Sequence, residues 1–199
     1  MTQQDRLYKQ IQFIHEVDKI KFILRRTKLF NSDRRENDAE HSWHLAMMAM
    51  ILSEHANKEV DVLKVIKMVL IHDVVEIDAG DVFFFDKNQQ HDNRKEELDA
   101  AKRIFGLLPE DQAQELFDLW QEFEAAESTE AKFAKTLDRL EPMLQNASNQ
   151  GGTWEEYDVK YEEVLDSKRV MAEIANPLWE YTQELLKECV KIGILKKEN

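Results

Sequence analysis

Four side chains of types that commonly bind metal ions recur along the sequence: His41, the adjacent pair His72 and Asp73, and Asp138. The apolar spacing around each indicates a helix with one face in the interior. A carboxylate that is buried alone is costly, so buried acids are normally paired or bound to a cation. Two neutral imidazoles and two carboxylates without a thiolate suit Mn, Fe, Co, Ni, Cu or Zn. The sequence therefore predicts that these four residues bind one divalent cation.

Each of these residues also has an ordinary structural alternative. A lone histidine on an apolar helix face, such as His41, is more often a hydrogen-bonded core residue than a ligand. The pair His72 and Asp73, taken alone, leaves the choice even. Together, on faces predicted to be buried, the candidates favour metal binding. His44 lies off the stripe of His41 and is interpreted as a supporting or structural residue. Three other histidines are assigned no role: His15, His55 and His91.

The elements that must position these residues have helical spacing nearly throughout the chain. Helices are predicted at about 7–24, 39–56, 60–77, 92–105, 110–126, 129–148, 155–175 and 177–192. Asn37 or Asp38 is placed to cap the second helix. The third is apolar nearly all round, which predicts that it crosses the core. Pro142 removes the helical partner of the Asp138 carbonyl and predicts a kink there.

The chain as a whole is predicted to be one all-α domain. No alternating pattern of strand type extends beyond a few residues, and no linker interrupts the helical pattern. We expect a helical bundle over 1–199, with the metal-ligand core at about 37–148 and C-terminal helices at about 153–192.

Composition restricts the class of protein further. The 199 residues are 43% hydrophobic and 34% charged, as in folded globular proteins. The net charge of −13 argues against a nucleic-acid polymer or an anionic membrane as partner. The lone Cys189 excludes an internal disulfide framework, and no apolar run resembles a signal peptide or a membrane span. These features predict a cytoplasmic location.

One segment of the chain is basic, in contrast to the negative net charge. Between residues 19 and 35 the one acid is Asp33, and seven residues are basic: Lys19, Lys21, Arg25, Arg26, Lys28, Arg34 and Arg35. Charge runs usually belong to solvated surfaces. This one directly precedes His41, however, and a guanidinium can bind two phosphate oxygens at once. The segment is therefore a candidate site for a small anion.

The order His41, His72 with Asp73, then Asp138 resembles the H…HD…D signature of the HD-domain metal-dependent phosphohydrolases. The segments RRENDAEHSWHLAMMAM and LIHDVVEIDAGD are similar to segments of the bacterial 5'-deoxynucleotidases and of the related HD-domain-containing protein 2 group. The stretch LPEDQAQELFDLWQEFEAAESTEAKFAKTLDRLEPMLQ looks particularly like the latter group. The resemblance covers roughly residues 10 to 175. An HD dipeptide alone is a weak signal, whereas HD together with the EHSW and EAKF segments is a strong one.

This resemblance implies an HD-type helical bundle in which His41, His72, Asp73 and Asp138 hold a divalent cation such as Mn, Co, Cu, Zn or Fe. It implies hydrolysis of (deoxy)nucleoside 5'-monophosphates to nucleoside and phosphate, and a homodimer. Nucleoside triphosphates and cyclic nucleotides are alternative substrates, and a noncatalytic nucleotide-binding protein is an alternative function. A ferritin-like bundle would need paired Glu-x-x-His motifs, which the sequence lacks.

Two further acids are candidates for proton transfer. Glu76 lies four residues after His72 and three after Asp73, so on a helix it stands beside both. We assign it to orienting or deprotonating the attacking water. Asp81 follows Gly80, where backbone freedom lets a carboxylate turn back, and serves as the acid or contacts the sugar. Relatives can also hold a second cation such as Mg at these two positions. A solvent-facing helix end and a loop cap are the structural alternatives.

Substrate contacts are carried over from the resemblance. Arg26 matches the arginine that grips the phosphate, and Arg25 is its alternative if the alignment slips by one. In bacterial deoxynucleotidases an aromatic residue follows that arginine and helps to reject a 2'-hydroxyl, whereas Thr27 stands here, which leaves deoxyribose selectivity open. The candidates for a stacking surface, each more often a core aromatic, are Phe30, Trp43 and the cluster from Phe83 to Phe85.

Overall fold

A computed structural model describes residues 2–85 and 93–198, and the predicted all-α class is confirmed with one small addition. The helices are α1 Gln3–Val17, α2 Asp38–Leu52, α3 Val62–Ile71, α4 Glu76–Ala79, α5 Arg94–Phe105, α6 Glu110–Ala125, α7 Thr129–Ser148, α8 Thr153–Glu156, α9 Tyr161–Ser167, α10 Val170–Ile174 and α11 Asn176–Lys191. Two strands, β1 Leu24–Lys28 and β2 Arg35–Asn37, form an antiparallel pair that the sequence analysis missed. None of the helices described is both long and apolar enough to cross a membrane.

The N-terminal segment differs from the predicted helix over 7–24. In the structure α1 ends at Val17, a 3-10 turn follows over Asp18–Phe22, and β1 begins at Leu24. Leu24 pairs across the hairpin with Asn37, the last residue of β2. The helical prediction was wrong because apolar spacing reports local periodicity, whereas this strand is held by a partner segment farther along the chain.

α2 begins where the sequence predicted. The side chain of Asn37 accepts a hydrogen bond from the backbone N–H of Glu40, and the Glu40 carboxylate accepts one from the backbone N–H of Asn37. This reciprocal capping box satisfies two donors that the first turn of a helix leaves open. The prediction that Asn37 or Asp38 caps this helix is thus confirmed for Asn37.

The predicted helix over 60–77 is interrupted at the residues of greatest interest. α3 ends at Ile71, a 3-10 turn covers His72–Val75, and α4 is a single turn that Gly80 ends. This helix was also expected to run through the core with nearly all of its sides buried. That prediction is wrong, because the side chains of Leu63 and Leu70 are exposed. A 3-10 turn is more tightly wound than an α-helix, so side chains three residues apart lie one above the other. His72 and Asp73 therefore point in other directions than a continued α3 would give them.

Two hydrophobic cores flank that turn. The larger lies between α2, α3, α7 and α11 and contains Leu45, Met68, Val69, Phe133, Leu137, Leu140 and Leu186. The smaller contains Ile20, Val74, Val75, Ala101, Ile104, Phe105 and Trp120. The turn that carries His72 and Asp73 thus runs directly into the smaller core through Val74 and Val75.

The C-terminal third contains a further departure from the predicted helices. Instead of one helix over 155–175, three short helices, α8 to α10, lead into α11. α7 is a single helix that continues through Pro142, four residues after Asp138. Because proline has no backbone N–H, the carbonyl of Asp138 lacks its usual helical partner within a helix that is otherwise intact.

Candidate metal centre

Three side chains from separate elements converge between the two cores. His41 projects from α2, His72 from the 3-10 turn and Asp138 from α7, and one ligand atom of each lies within 4.8 Å of the others. The Asp138 Oδ1 atom is 3.1 Å from His41 Nε2 and 3.6 Å from His72 Nε2. Both imidazoles are buried. Two nitrogens and a carboxylate oxygen thus face one small volume.

The local surroundings of His72 fix which nitrogen faces that volume. His72 Nδ1 lies 2.9 Å from the carbonyl oxygen of Val69 and donates its N–H there, so Nε2 is the nitrogen that faces the cluster and that carries the lone pair when the imidazole is neutral. Nε2 is itself buried and has no hydrogen-bond partner among the described residues. A buried imidazole nitrogen that faces carboxylate oxygens without a well-formed hydrogen bond fits a metal ligand once its proton is lost, so the donor set suits a divalent cation.

Asp73 links this group to a buried arginine. Its Oδ1 atom is 3.0 Å from His72 Nε2, and its Oδ2 atom is 3.9 Å from His41 Nε2. The same Oδ2 accepts a hydrogen bond of 2.7 Å from Arg25 Nη1. The structure therefore brings together all four residues that the sequence proposed as ligands.

A second layer of polar groups lies behind His41. His41 Nδ1 is 3.3 Å from Glu141 Oε2 and 3.5 Å from Glu36 Oε2, and both carboxylates are buried. The other oxygen of Glu141 is 3.2 Å from His44 Nδ1. Gln145 donates a hydrogen bond of 2.8 Å to the other oxygen of Glu36. These groups hold the ring of His41 with Nε2 toward Asp138.

The sequence analysis assigned His44 a supporting place but missed both glutamates. Glu141 follows Asp138 by three residues on α7, which places the two on one helix face, and that spacing was available as a signal. Glu36 gave no comparable signal, because it lies in β2, which was not predicted.

Asp38, Asp73 and Glu76 form a group of carboxylates alone. One oxygen of each lies within 4.8 Å of the others. Asp38 is 0% exposed, and neither of its carboxylate oxygens has a hydrogen-bond partner among the described residues. Its closest described cation is Arg25, whose Nη1 is 3.6 Å from Asp38 Oδ1. The sequence analysis had considered Asp38 as a helix cap alone.

Asp81 is positioned by the turn after α4. Gly80 adopts φ of 77°, a left-handed conformation that disfavours residues with a Cβ, and Asp81 follows it. Burial raises the pKa of Asp81, and the charge of Arg25 lowers it in part. Its charge in turn contributes to the raised pKa values of Asp38 and Glu76. Asp81 therefore lies at the margin of the carboxylate group.

The structure distinguishes the two candidate arginines by position. Arg25 is largely buried and lies among Asp73, Asp38 and Glu36, with its Nε 3.7 Å from Glu36 Oε2. Arg26, which the sequence analysis favoured, has no ion pair within residues 2–85 and 93–198, although its charge acts on the pKa of Asp81. Neighbouring residues of a strand point to opposite faces, so one of the two faces the cluster directly. That one is Arg25.

The charges of the cluster shift one another's pKa values. Burial opposes ionisation of Asp138, but the hydrogen bond with His41 and the nearby imidazole of His72 hold its pKa well below the usual range. Burial likewise disfavours the charged form of His72, yet Asp73 and Asp138 raise its pKa to about 9. A cation that binds His72 must therefore displace a proton at neutral pH.

The carboxylate group shows the opposite behaviour. Burial and the charge of Asp73 raise the pKa of Asp38 to about 7. Burial, Asp73 and Asp38 raise the pKa of Glu76 well above its ordinary value. Carboxylates that repel one another in this way gain from any cation placed among them.

The aromatic candidates for a stacking surface lie at separate places in the structure. Phe30 and Trp43 both contact His44, with ring centroids 5.6 and 6.2 Å away. Phe83 packs on Tyr157 at 4.6 Å. Thr27 is buried in β1. His91 lies outside the described residues.

A helical fold whose buried imidazoles and aspartates come in the order His, His-Asp, Asp defines the class of HD-domain proteins. The chain belongs to the HD domain family, whose sequence profile matches residues 17–179.

Known relatives agree with this assignment. The chain is 35% identical over 137 residues to the human 5'-deoxynucleotidase HDDC2, which is 68% of this chain and 65% of the human protein, so it spans slightly less than two thirds of that relative's length. A crystal structure described as a predicted metal-dependent phosphohydrolase from Magnetospirillum magnetotacticum has a TM-score of 0.88 and 47% identity, covering 96% of this chain and 99% of that one. PH0347 from Pyrococcus horikoshii has a TM-score of 0.64, covers 90% of this chain and 97% of its own, and at 22% identity shows the fold alone.

Proposed function

We propose that this protein is a metal-dependent phosphohydrolase that hydrolyses (deoxy)nucleoside 5'-monophosphates to nucleoside and phosphate. The observation that carries the proposal is the convergence of His41, His72 and Asp138 on one small volume, with Asp73 3.0 Å from His72 Nε2 and a largely buried arginine beside it. Relatives named 5'-deoxynucleotidases support the substrate class.

His41, His72, Asp73 and Asp138 would hold the cation, which we propose to be Mn, Co, Cu, Zn or Fe. When bound, such a cation neutralises phosphate oxygens and lowers the pKa of coordinated water. A weaker Mg ion beside Glu76 and Asp81 is part of the proposal. The surrounding protein would hold each imidazole in one tautomer, with Nε2 toward the cation. The contacts of His72 Nδ1 with Val69 and of His41 Nδ1 with Glu141 support this role.

Arg25 is proposed to bind the substrate phosphate, with Arg26 as the alternative. Arg25 is supported by its burial beside Asp73, because a guanidinium there meets a dianion that approaches the imidazoles. With cation saturating, Arg25→Ala should raise KM, since a charge-assisted hydrogen bond contributes about 1.5–3 kcal/mol, or roughly 10–100-fold. A KM that rises in Arg26→Ala and not in Arg25→Ala would restore the sequence-based choice.

Glu76 and Asp81 are proposed to move the protons. Glu76 is placed to orient or deprotonate the attacking water, because one of its oxygens lies within 4.8 Å of an oxygen of Asp73. Asp81, with a raised pKa, is proposed to protonate the leaving 5'-oxygen or to contact the sugar. Phe30, Trp43 or the cluster from Phe83 to Phe85 would stack on the base, and Thr27 leaves the choice between ribose and deoxyribose open.

We further propose that the chain forms one cytoplasmic domain and a homodimer. Exposed apolar side chains on neighbouring helices support a self-association surface: Trp43, Met47 and Met50 on α2, and Leu63 and Leu70 on α3. Sedimentation of the wild type against Met50→Glu tests this, and a monomeric wild type would exclude it.

The test of function is phosphate release from a panel of nucleoside 5'-mono- and triphosphates, ribo and deoxy, and cyclic nucleotides. The protein is first stripped with a chelator, and Mn, Co, Cu, Zn, Fe or Mg is then added back. We expect release from monophosphates that depends on the added cation. Release from triphosphates alone, or none with any cation, would contradict the proposal.

A further inference from the structure

We infer that Lys168 binds the phosphate of the substrate, from the side of the centre where Asp138 lies. The inference rests on the proposed function and adds to Arg25 and Arg26 a third cation, which comes from the C-terminal part of the chain. Lys168 lies in the turn between α9 and α10.

The burial of Lys168 is the first observation behind the inference. Lysine is almost never fully buried unless it is paired. Lys168 is 7% exposed and is the one buried lysine among the described residues. Within residues 2–85 and 93–198 its ammonium has neither a hydrogen bond nor an ion pair. An ammonium in such surroundings is costly unless a ligand supplies the missing partner.

The turn that carries Lys168 is fixed against α7 by its backbone. Arg139 directly follows the proposed ligand Asp138 on α7. Its Nη1 atom donates a hydrogen bond of 3.2 Å to the carbonyl oxygen of Ser167, which directly precedes Lys168. The carbonyl oxygen of Lys168 in turn accepts a hydrogen bond of 3.0 Å from the N–H of the buried Met171. The turn is thus held without any contribution from the ammonium.

The electrostatic surroundings of the ammonium connect it to the proposed cation site. Burial lowers the pKa of Lys168 to about 7, the charge of Asp138 opposes this decrease, and the charge of Arg139 adds to it. Arg25, by contrast, meets the centre at Asp73, through its hydrogen bond of 2.7 Å. Lys168 and Arg25 therefore lie beside different ligands of the proposed cation.

A phosphate group fits the charge that this arrangement leaves unbalanced. Once Asp138 is committed to a cation, Lys168 has no described carboxylate in contact to balance its charge. An ammonium has three rotatable donors, and it forms charge-assisted hydrogen bonds with phosphate oxygens. A dianion beside Lys168 would also raise its pKa and keep it protonated. The sugar and the base carry no negative charge, which favours the phosphate as the group that Lys168 binds.

The test compares Lys168→Met with the wild type, using the full chain stripped with a chelator and reloaded with Mn²⁺. Methionine keeps an unbranched apolar side chain and removes the ammonium. KM for a nucleoside 5'-monophosphate, and the Kd of inorganic phosphate measured by calorimetry, should both rise about 10–100-fold, because a charge-assisted hydrogen bond is lost. Affinity for the free nucleoside should stay unchanged, and affinity for Mn²⁺ should not fall. Lys187→Met, at an exposed position on α11, is the matched control.

Folding is checked separately from binding. Near pH 7, Lys168→Met should melt at or above the wild-type Tm, because a buried amine without a partner is removed. A lower Tm with an unchanged Kd for phosphate would show a structural role and overturn the inference. If the variant fails to fold, the wild type supplies the test, since phosphate should slow acetylation of Lys168 relative to Lys187, measured by mass spectrometry. Acetylation at an unchanged rate would contradict the inference.

The outcomes separate this inference from the proposed function. If Lys168→Met hydrolyses monophosphates with an unchanged KM, or loses affinity for the nucleoside instead of phosphate, the inference is overturned and the proposed function stands. If the wild type binds phosphate through Lys168 but hydrolyses no phosphate ester, the inference stands and the proposed function is contradicted.

Discussion

Two groups on opposite sides of His41 each combine imidazoles with carboxylates and differ in what their atoms touch. The front group is His41, His72 and Asp138, and the rear group is Glu36, His44 and Glu141; in each, the ligand atoms lie within 4.8 Å of one another. Behind the ring, the two oxygens of Glu141 face imidazole nitrogens at 3.3 and 3.2 Å. In front, His72 Nε2 has no hydrogen-bond partner in the described chain.

The difference shows that residue type and proximity do not define a metal site by themselves. Both oxygens of Glu141 are taken up by imidazole nitrogens, whereas the front group leaves a buried imidazole nitrogen without a well-formed hydrogen bond, so the rear group is suited to hold the front one in place. Removing a front residue should therefore abolish binding, whereas removing a rear residue should weaken it.

The largest effect is expected for Asp138→Ala. Cation affinity and turnover should fall together by more than the roughly 100-fold upper range for loss of an outer-shell partner, because a direct ligand is removed. Metal content after dialysis and phosphate release measure the two effects. Asp118→Ala, at an exposed position on α6, is the control. An Asp138→Ala variant that keeps its metal would break the distinction between front and rear.

Glu141→Gln should have an intermediate effect. The amide keeps the volume but can no longer accept from both histidines, so His41 loses its fixed orientation. We expect a loss of cation affinity of about 10–100-fold, with turnover restored by excess cation. Glu127→Gln, at an exposed position, should change neither. Turnover that stays lost at saturating cation would place Glu141 in the front group.

The pH dependence of cation affinity tests the front group further. Because Asp73 and Asp138 overcome the effect of burial and raise the pKa of His72 to about 9, the folded protein binds a proton there that a cation must displace. Cation affinity should rise by about tenfold per unit between pH 7 and 9 as that proton is lost. Calorimetry in buffers of different protonation enthalpy would measure the released proton, and an affinity independent of pH would contradict the assignment.

The stability of the metal-free protein should fall as the pH rises, whereas the cation affinity should increase. A raised folded-state pKa gives His72 a stabilising contribution that is complete below its ordinary pKa of 6.5 and is lost as pH rises through about 9. The urea midpoint without cation should therefore be lower at pH 9 than at pH 6.5, and added cation should reduce the difference.

The smallest effect is expected for His44→Ala. His44 is partly exposed and acts on the centre through Glu141, whose other oxygen still faces His41. Cation affinity should change by less than about tenfold, since a rear contact at the surface is worth less than a buried one. A loss as large as that of Glu141→Gln would show that the two act as one unit.

Much of this organisation could be predicted from sequence, for identifiable reasons. Helical periodicity is local, so α2, α6 and α7 were predicted close to their observed positions, as was the cap at Asn37. The convergence of four ligand candidates followed from their predicted burial together with the family resemblance. The hairpin of β1 and β2 was missed because its stability depends on pairing between separate segments.

The choice between Arg25 and Arg26, and the place of Asp38, needed coordinates. Adjacent residues in a strand occupy opposite faces, and the sequence-based choice of Arg26 came from the family resemblance, which does not show which face each arginine occupies. Asp38 at a helix start is an ordinary acid by sequence, and its isolation from water is a property of the packed molecule.

The short turn from His72 to Val75 contributes both to the proposed cation site and to the smaller hydrophobic core. The residues that face the cation and the residues that fill the smaller core are consecutive in the chain. Truncating Val74 or Val75 should therefore shift the backbone that carries His72 and Asp73, which lie one to three residues away. The geometry of the proposed cation site would then depend on hydrophobic packing, and substitutions far from any polar atom should change which ion it accepts.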